Sequence, residues 1–273
     1  MVNHPTRLSD KSYLREVIEK QKKELTRSIR YAQNIQNAIF PSKDDFQRLF
    51  PESFILFLPR DIVSGDFYWM RKISHHILVA VGDCTGHGVP GAFMSLLGIT
   101  FLNEITTYDP LLAPNRILNM LRERVMKTLN QTGKASDQKD GMDLTLIAYD
   151  QKEQLLQCAG ANTTLFHFHK GMMEEIKGDR MPISVYGDFE APFTNHKLTL
   201  EEGDRIYLFT DGYVDQFGGP DFKKFKFNRF RKLMNDIQNE PFDKQETILH
   251  ETLKTWRGKF EQIDDILVMG IGF

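Results

Sequence analysis

The sequence has few cysteines and almost no net charge. Two of its 273 residues are cysteine, Cys84 and Cys158, which is too few for a disulfide framework or, by themselves, a four-ligand zinc site. We therefore expect two buried thiols. The 35 Lys and Arg nearly balance the 37 Asp and Glu, with a formal net charge of -2. Charge therefore gives no support for a nucleic-acid or membrane partner.

Long apolar stretches are also missing. No run of about 18 uninterrupted apolar residues is present, and the first 17 residues lack the basic-then-apolar layout of a signal peptide. We expect a cytoplasmic protein. With 41% hydrophobic and 26% charged residues, the composition suits a globular chain that buries its core in one domain, with or without an extension.

The N-terminal forty residues carry a heptad pattern. It ends at Pro41, which cannot continue a helix, and Gln21 and Ser28 weaken it. The seam positions are Leu14, Ile18, Gln21, Leu25, Ser28, Ala32, Ile35 and Ile39. We predict a helical linker over residues 1–40 that dimerises as a coiled coil of modest stability. The alternative is one amphipathic helix packed against its own domain.

Residues 41–273 are predicted to form a separate α+β domain. Helices come in pairs between groups of strands, which indicates layers rather than a βαβ repeat. Short apolar runs between turns predict strands at 53–58, 65–70, 76–82, 144–149, 154–159, 163–169 and 266–273. Helical spacing predicts helices at 92–107, 114–130, 227–237 and 243–257. Residues 133–141 have the composition of an exposed loop.

Acidic residues stand at the ends of several predicted strands. If the strands around Asp66 and Asp83 form a hairpin centred on residues 74–75, the two aspartates face each other. Asp211 ends another apolar strand, and Asp264 and Asp265 directly precede the last one. If those two strands are antiparallel, all these acids converge at one sheet edge. Carboxylates that close repel unless cations neutralise them, and oxygen ligands favour Mg²⁺ or Mn²⁺.

Six sequence motifs, and their order along the chain, resemble those of a known protein family. They are VSGDFYW at 63–69, GDCTGHGVPGAFMS at 82–95, GMDLTL at 141–146, AGAN at 159–162, TDGYVDQFGG at 210–219 and QIDDILV at 262–268. Together they resemble the SpoIIE-like branch of the protein phosphatase 2C-like (PPM), metal-dependent serine/threonine phosphatases. Residues 27–41 also resemble the helical linker of RsbU-type bacterial regulators.

The resemblance implies an αββα sandwich with two Mg²⁺ or Mn²⁺ ions at one edge. By motif, Asp66, Asp83, Asp211 and Asp264 would be the catalytic metal ligands, with Asp83 bridging the ions. The backbone carbonyl of Cys84 would be a further ligand, and Asp265 would stand beside the site. A water activated by the metals would attack phosphorus in line, so no phosphoenzyme is needed and Cys84 is not a nucleophile.

Four other residues allow more than one interpretation. His87 is either a general acid or a structural hydrogen-bonding residue in the turn. Arg60 is either a phosphate ligand or an exposed strand residue. His167 and His169 share one face of a strand, where a two-histidine metal pair is the less favoured interpretation.

The expected function is therefore a phosphoserine/phosphothreonine phosphatase. By resemblance, its substrate is a phosphorylated STAS-type anti-sigma-factor antagonist, and the dimerising N-terminal helix controls the helices at 89–107 and 114–130. The alternative is a non-catalytic dimeric scaffold of the same fold, although such a protein should have lost at least one metal-binding acid. A small-molecule phosphohydrolase is a third, weaker possibility.

Overall fold

The computed structural model describes residues 6–109, 112–134, 139–186 and 191–273, with side chains from residue 12 onward. The helices in these residues are α1 (Thr6–Ile39), α2 (Lys43–Leu49), α3 (Gly88–Tyr108), α4 (Pro114–Thr128), α5 (Gly212–Asp215), α6 (Phe227–Ile237) and α7 (Phe242–Arg257). The strands are β1 (Ser53–Leu58), β2 (Phe67–Ile73), β3 (His76–Cys84), β4 (Met142–Asp150), β5 (Leu155–Ala161), β6 (Thr164–His169), β7 (Met172–Lys177), β8 (His196–Thr199), β9 (Arg205–Phe209), β10 (Phe217–Gly218), β11 (Lys223–Lys224) and β12 (Ile266–Gly272).

Two five-stranded antiparallel sheets form the centre of the domain. The first has the order β1-β12-β9-β6-β7, and the second has the order β2-β3-β4-β5-β8. Successive side chains of a strand point to opposite faces. Ile55 and Leu208 of the first sheet therefore belong to the core shared with the second sheet, whereas Phe54 and Tyr207 pack with residues of α6 and α7. Helices α3 and α4 cover the outer face of the second sheet. The predicted αββα sandwich is confirmed.

Several elements differ from the sequence-based expectation. The short helix α2 and the edge strands β7 and β8 were not predicted. In the two strands, exposed and partly buried residues alternate for most of the length, which gives no continuous apolar run. Helix α3 begins at Gly88, four residues earlier than expected. Of the predicted loop at 133–141, residues 135–138 lie outside the described residues. The others are irregular, and Gly141 is buried.

Helix α3 is the one described helix that is long and apolar enough, by length and composition, to cross a membrane. It was not found as an uninterrupted apolar run because Ser95 and Asn103 lie inside it. The helix is packed against α4 and β3, and Ile99, Leu102 and Ile105 are fully buried. One face of the helix therefore belongs to the core of the domain, while Phe93 is exposed.

Most of helix α1 extends away from the domain. Leu14, Ile18, Leu25, Ile35 and Ile39 of the heptad seam are between 43% and 63% exposed. Among the described side chains of α1, only Gln36 is buried. The helix therefore does not pack along its own domain, as the alternative interpretation required, and its apolar seam is open to another surface.

The side chains of His167 and His169 both contact the carboxylate of Asp204. His167 Nε2 lies 3.1 Å from one oxygen of Asp204, and His169 Nδ1 lies 2.8 Å from the other. The backbone N–H of Glu201 also donates to Asp204. Burial raises the pKa of Asp204, but these hydrogen bonds outweigh it, so the pKa lies below its usual value. The network holds the turn between β8 and β9 against β6.

We predict that Asp204→Ala lowers the free energy of unfolding by about 2 kcal/mol or more, since it leaves the buried His167 ring without its partner. Urea denaturation followed by circular dichroism measures this. Glu201→Ala removes an exposed neighbouring carboxylate and serves as the control, with an expected change of about 0.5 kcal/mol or less. Equal effects of the two substitutions would contradict a structural role for the network.

Candidate metal centre

The hairpin formed by β2 and β3 places Asp66 opposite Asp83. Phe67 pairs with Gly82 and Ile73 pairs with His76, so the turn consists of Ser74 and His75. This is the turn centre assumed from the sequence. Extending the register by one residue sets Asp66, just before β2, across from Asp83 near the end of β3. These two carboxylates belong to the second sheet.

The first sheet brings three further aspartates to the same place. Strand β9 is antiparallel to β12, and the Thr210 N–H donates to the carbonyl of Leu267. Asp211, after β9, and Asp264 and Asp265, before β12, therefore meet at one end of the sheet. Gly212 is required here, because a Cβ atom at this position would lie 1.9 Å from the carbonyl oxygen of Asp265. The close approach leaves room only for glycine.

Two buried acids are held by specific hydrogen bonds. The Thr210 hydroxyl donates to Asp66 Oδ2 over 2.6 Å, which joins the two sheets directly. Asp265 accepts from the backbone N–H of Arg60 and of Gly65, each over 2.7 Å. Asp66 is 1% and Asp265 2% exposed. Both side chains therefore have defined orientations before any ligand binds.

Mutual repulsion and burial disfavour ionisation in this cluster. Burial is the main cause that raises the pKa of Asp66 well above its usual value, and the charges of Asp265, Asp264 and Asp211 add to it. The pKa of Asp83 is raised well above its usual value for the same reasons, burial first and then the neighbouring Asp66. Each carboxylate thus lies within electrostatic reach of the others.

Asp211 and Asp264 lie nearer the surface of the cluster. Burial, then the charges of Asp215 and Asp264, raise the pKa of Asp211, although its side chain also hydrogen-bonds Asp83. Burial also raises the pKa of Asp264, while the hydrogen bond from the Asp265 N–H and electrostatic interactions with His87 and Arg60 act in the opposite direction.

Asp143 is an acid of the cluster that sequence reasoning missed. It is the register partner of Asp83 on β4, and the Asn162 side chain donates to its Oδ1 over 3.0 Å. Burial raises the pKa of Asp143 to about 6. The signal was available in the GMDLTL and AGAN motifs, which contain Asp143 and Asn162. Their meeting depends on the pairing of β4 with β5 and with β3, which was not predicted.

The glycine-rich segment after β3 makes a close-packed turn behind the site. Gly86 has φ +84°, in the left-handed region, and a Cβ atom on Gly91 would lie 2.2 Å from the Gly86 carbonyl oxygen. Cys84 is buried at the end of β3, and burial is the main cause that raises the pKa of its thiol well above the usual value. A protonated, buried thiol does not act as a nucleophile.

His87 and Arg60 both lie at the rim. His87 Nδ1 is 3.0 Å from an Asp61 carboxylate oxygen, which supports the interpretation of His87 as a hydrogen-bonding residue of the turn. Arg60 lies in the loop after β1, not in a strand as its alternative interpretation stated. Its backbone N–H contacts Asp265 and its exposed side chain acts electrostatically on Asp264.

Two depressions open on either side of Asp83 and Asp143. One has a volume of about 440 Å³ and is also lined by Cys84, Thr85, Gly86, His87, Lys139, Met142, Pro182, Ser184 and Asp264. The other has a volume of about 200 Å³ and is also lined by Val81, Asn162, Thr163, Thr164, Phe209, Thr210, Asp211, Val214 and Phe227. The acidic cluster is therefore accessible to a substrate at the surface.

The donor set of the cluster fits hard divalent cations. It consists of carboxylates whose charges repel one another, and such an arrangement is stabilised by Mg²⁺ or Mn²⁺. Two described groups of three side chains have all their metal-binding atoms within 4.8 Å of one another, His75 with His76 and Asp150, and His167 with His169 and Asp204, and the aspartates of the cluster do not form such a group. Both lie outside the two depressions, and in the second the imidazoles already hydrogen-bond the carboxylate.

Comparisons with known proteins agree with this geometry. The family model for stage II sporulation protein E (SpoIIE) matches residues 74–273. The chain belongs to the SpoIIE family. The SiaA-PP2C domain of Pseudomonas aeruginosa is 31% identical, with a TM-score of 0.83 over 93% of this chain and 98% of that domain. This protein is thus a PPM-type protein serine/threonine phosphatase, of a family that depends on metal ions.

More distant structures share the fold of this SpoIIE-family phosphatase. The phosphatase domain of SpoIIE from Bacillus subtilis, solved with a fragment of its regulatory domain, is 16% identical, with a TM-score of 0.63 over 81% of this chain and 63% of that one. RsbX, solved in complex with magnesium, is 14% identical, with a TM-score of 0.54 over 81% of this chain and 94% of that one. No curated protein sequence matches this chain.

We predict that the metal-free phosphatase loses stability as the pH rises. A carboxyl group whose pKa is raised on folding holds its proton longer in the folded than in the unfolded state. Its stabilising contribution is complete below the unfolded value of about 4 and disappears as the pH rises through the folded value, which is about 6 for Asp143. Thermal unfolding in chelator between pH 5 and 8 measures this, and added Mn²⁺ should reverse the loss.

Asp83→Asn tests the cause of that pH dependence. Removing one of the clustered charges should raise the melting temperature of the metal-free protein at pH 8 while reducing the stabilisation by Mn²⁺. Asp236→Asn, on the exposed side of α6, is the matched control and should change neither quantity. A melting temperature of Asp83→Asn below that of the wild type at pH 8, without metal, would refute the explanation.

Proposed function

We propose that this phosphatase hydrolyses phosphoserine and phosphothreonine in a phosphoprotein, with two Mn²⁺ or Mg²⁺ ions held by Asp66, Asp83, Asp211 and Asp264. The observation that supports this most is the convergence of carboxylates from both sheets beside an open depression. The magnesium bound to the related fold of RsbX is consistent with it.

The ligand roles follow from the positions of the acids. Asp83 lies between the other acids and lines both depressions, which suits a bridging ligand. The backbone carbonyl of Cys84 follows it and is available as a further oxygen donor. Asp265 hydrogen-bonds two backbone N–H groups, so its role is to hold the loop from Arg60 to Gly65 against the site.

The chain itself prepares the site for in-line attack by water on the phosphoryl group. When bound, the two cations would supply an acidified water and stabilise negative charge on the phosphoryl oxygens. Thr210 fixes the orientation of Asp66. The N-terminus of α3, which follows the glycine turn at the rim, favours an anionic group nearby. The buried thiol of Cys84 takes no part.

We propose that the hydrolysis of a phosphoserine protein or p-nitrophenyl phosphate by the purified chain needs Mn²⁺ or Mg²⁺ and stops in chelator. Asp211→Ala should reduce turnover at least about 100-fold, because loss of a residue that only hydrogen-bonds a metal ligand already reduces metal affinity or activity by about 10–100-fold. Asp236→Asn should retain wild-type turnover. Metal-independent turnover, or normal turnover by Asp211→Ala, would refute the ligand assignment.

The biological setting follows from the resemblance to RsbU-type regulators. We propose that the protein acts in the bacterial cytoplasm on a phosphorylated STAS-type anti-sigma-factor antagonist. The non-catalytic scaffold is the alternative, and the presence of all four predicted acids weighs against it. Turnover of p-nitrophenyl phosphate does not separate protein from small-molecule substrates, so competition with phosphoproteins is required.

The chain is proposed to divide into a dimerising linker, residues 1–40, and a phosphatase domain, residues 41–273. The seam of α1 supports this, since its apolar side chains are exposed along most of the helix. A two-stranded coiled coil buries such a seam against a second copy.

The double substitution Leu25→Glu and Ile35→Glu places charges in that seam. We expect light scattering to show a shift from dimer to monomer, because like charges would face each other across the coiled coil. Lys23→Glu with Asn34→Glu changes exposed positions on the side of the helix away from the seam and should leave the mass unchanged. A wild-type chain that is monomeric at micromolar concentration would exclude the coiled coil.

A further inference from the structure

Gln36 is the one described side chain of α1 that is buried, at 3% exposed. It lies outside the heptad seam, whose last positions are Ala32, Ile35 and Ile39, and its hydrogen-bond partners are in the domain. An apolar residue would fill the same space without polar groups to satisfy. Burying a primary amide is favourable only when its oxygen and nitrogen both find partners.

The Gln36 amide finds those partners on one residue of the loop before β2. Its Oε1 accepts from the Ser64 N–H over 3.1 Å, and its Nε2 donates to the Ser64 carbonyl over 2.7 Å. The Ser64 hydroxyl is buried without a partner among the described residues. Gln36 therefore holds the backbone of Ser64, on both sides of its Cα atom, and not its side chain.

The same amide also reaches α3. Gln36 Nε2 donates to Ser95 Oγ over 3.0 Å, and Ser95 is fully buried. One turn earlier in α3, Gly91 packs directly on Gly65, since a Cβ atom at Gly91 would lie 2.9 Å from the Gly65 Cα atom. Three segments, from α1, the loop before β2 and α3, thus meet at a single side chain.

The backbone that Gln36 holds leads directly to the acidic cluster. Ser64 is followed by Gly65, whose N–H donates to Asp265 Oδ2, and then by Asp66. A displacement of Ser64 would move the Gly65 donor and the Asp66 carboxylate together. The loop has no regular secondary structure, so its position depends on packing and on hydrogen bonds from other segments, of which Gln36 makes two.

We propose that Gln36 is a positioning residue of the metal centre: its amide fixes the Ser64 backbone and thereby Asp66, so that the seating of α1 on the domain sets the affinity for divalent cations. The inference rests on the proposed function in one respect, the assignment of Asp66 as a metal ligand. It deepens that function by giving the N-terminal helix a direct physical link to the site.

The test compares the full chain with Gln36→Leu, which has similar volume and no hydrogen-bonding groups. Asn37→Leu, at the exposed neighbouring position, is the matched control. The first readout is amide hydrogen exchange of the metal-free protein. We expect faster exchange in Gln36→Leu for the segment from Arg60 to Asp66, with exchange in β4 and β12 unchanged.

The second readout is Mn²⁺ affinity, measured from the electron paramagnetic resonance signal of free Mn²⁺ and therefore independent of turnover. We expect the dissociation constant of Gln36→Leu to rise about tenfold, in the range found for residues that orient metal ligands. The Mn²⁺ concentration for half-maximal turnover should rise by the same factor. Asn37→Leu should match the wild type in every readout.

Two further variants keep the test informative if Gln36→Leu folds poorly. Gln36→Met keeps the length of the side chain, has no amide and places no charge in the buried site, so its Mn²⁺ affinity should fall as far as that of Gln36→Leu. Ser95→Ala removes the contact of Gln36 with α3 and the longer 3.4 Å hydrogen bond from Ser95 Oγ to the Ser64 carbonyl, but it leaves both hydrogen bonds between Gln36 and Ser64, so Mn²⁺ affinity should stay within about twofold of the wild type. Weakening of Ser95→Ala as large as that of Gln36→Met would overturn the assignment to Gln36.

The outcomes separate this inference from the proposed function. Unchanged exchange and unchanged Mn²⁺ affinity in the Gln36 variants, with an active wild type, would overturn the inference and leave the phosphatase intact. A wild type that binds Mn²⁺ without hydrolysing any phosphoester would overturn the function, while exchange and affinity would still decide the role of Gln36. A wild type that binds no Mn²⁺ would overturn both.

Discussion

The hydrogen bond from Thr210 to Asp66 joins two sheets at the point where both end in acids. Thr210 follows β9 of one sheet and Asp66 precedes β2 of the other, and the donor and acceptor atoms are 2.6 Å apart. The hydrogen bond from the Gly65 N–H to Asp265 joins the same two sheets, and the apolar core between them keeps the carboxylates of Asp66 and Asp83 beside those of Asp211 and Asp264. Packing of the two sheets against each other therefore assembles the site, because each sheet by itself contributes only some of the carboxylates.

The clustering of these buried carboxylates is unfavourable for the metal-free protein. Burial and mutual repulsion raise the pKa of each of the four acids, and a bound cation would offset that repulsion. The surrounding packing maintains the arrangement, through glycines that allow close approach of the backbone and through N–H groups that bond Asp265. A site that is strained without metal and relaxed with it is suited to tight metal dependence.

The sequence-based predictions succeeded where the determining interactions are local. The β2–β3 hairpin could be predicted because two apolar runs flank a short polar turn, and the turn centre that was assumed, Ser74 and His75, is the one observed. Strands β7 and β8 were missed because edge strands carry few apolar residues. Asp143 was missed because its contact with the cluster depends on a pairing between β3 and β4, which are separated by two helices.

For the N-terminal helix α1 as well, some features can be predicted from the sequence and others are visible only in the structure. Its heptad spacing is visible in the sequence, and the exposure of the seam agrees with it. Gln36 looks like any other polar residue between seam positions, and only the packing of α1 on the domain shows that its amide holds Ser64. The sequence by itself determined the family, the order of the apolar runs that form strands, and which four acids stand at or near strand ends. Each of these can be recognised from residues that are close together in the chain. Tertiary structure alone decided which acids meet, which are buried and what holds them, because those contacts join residues up to about 200 positions apart.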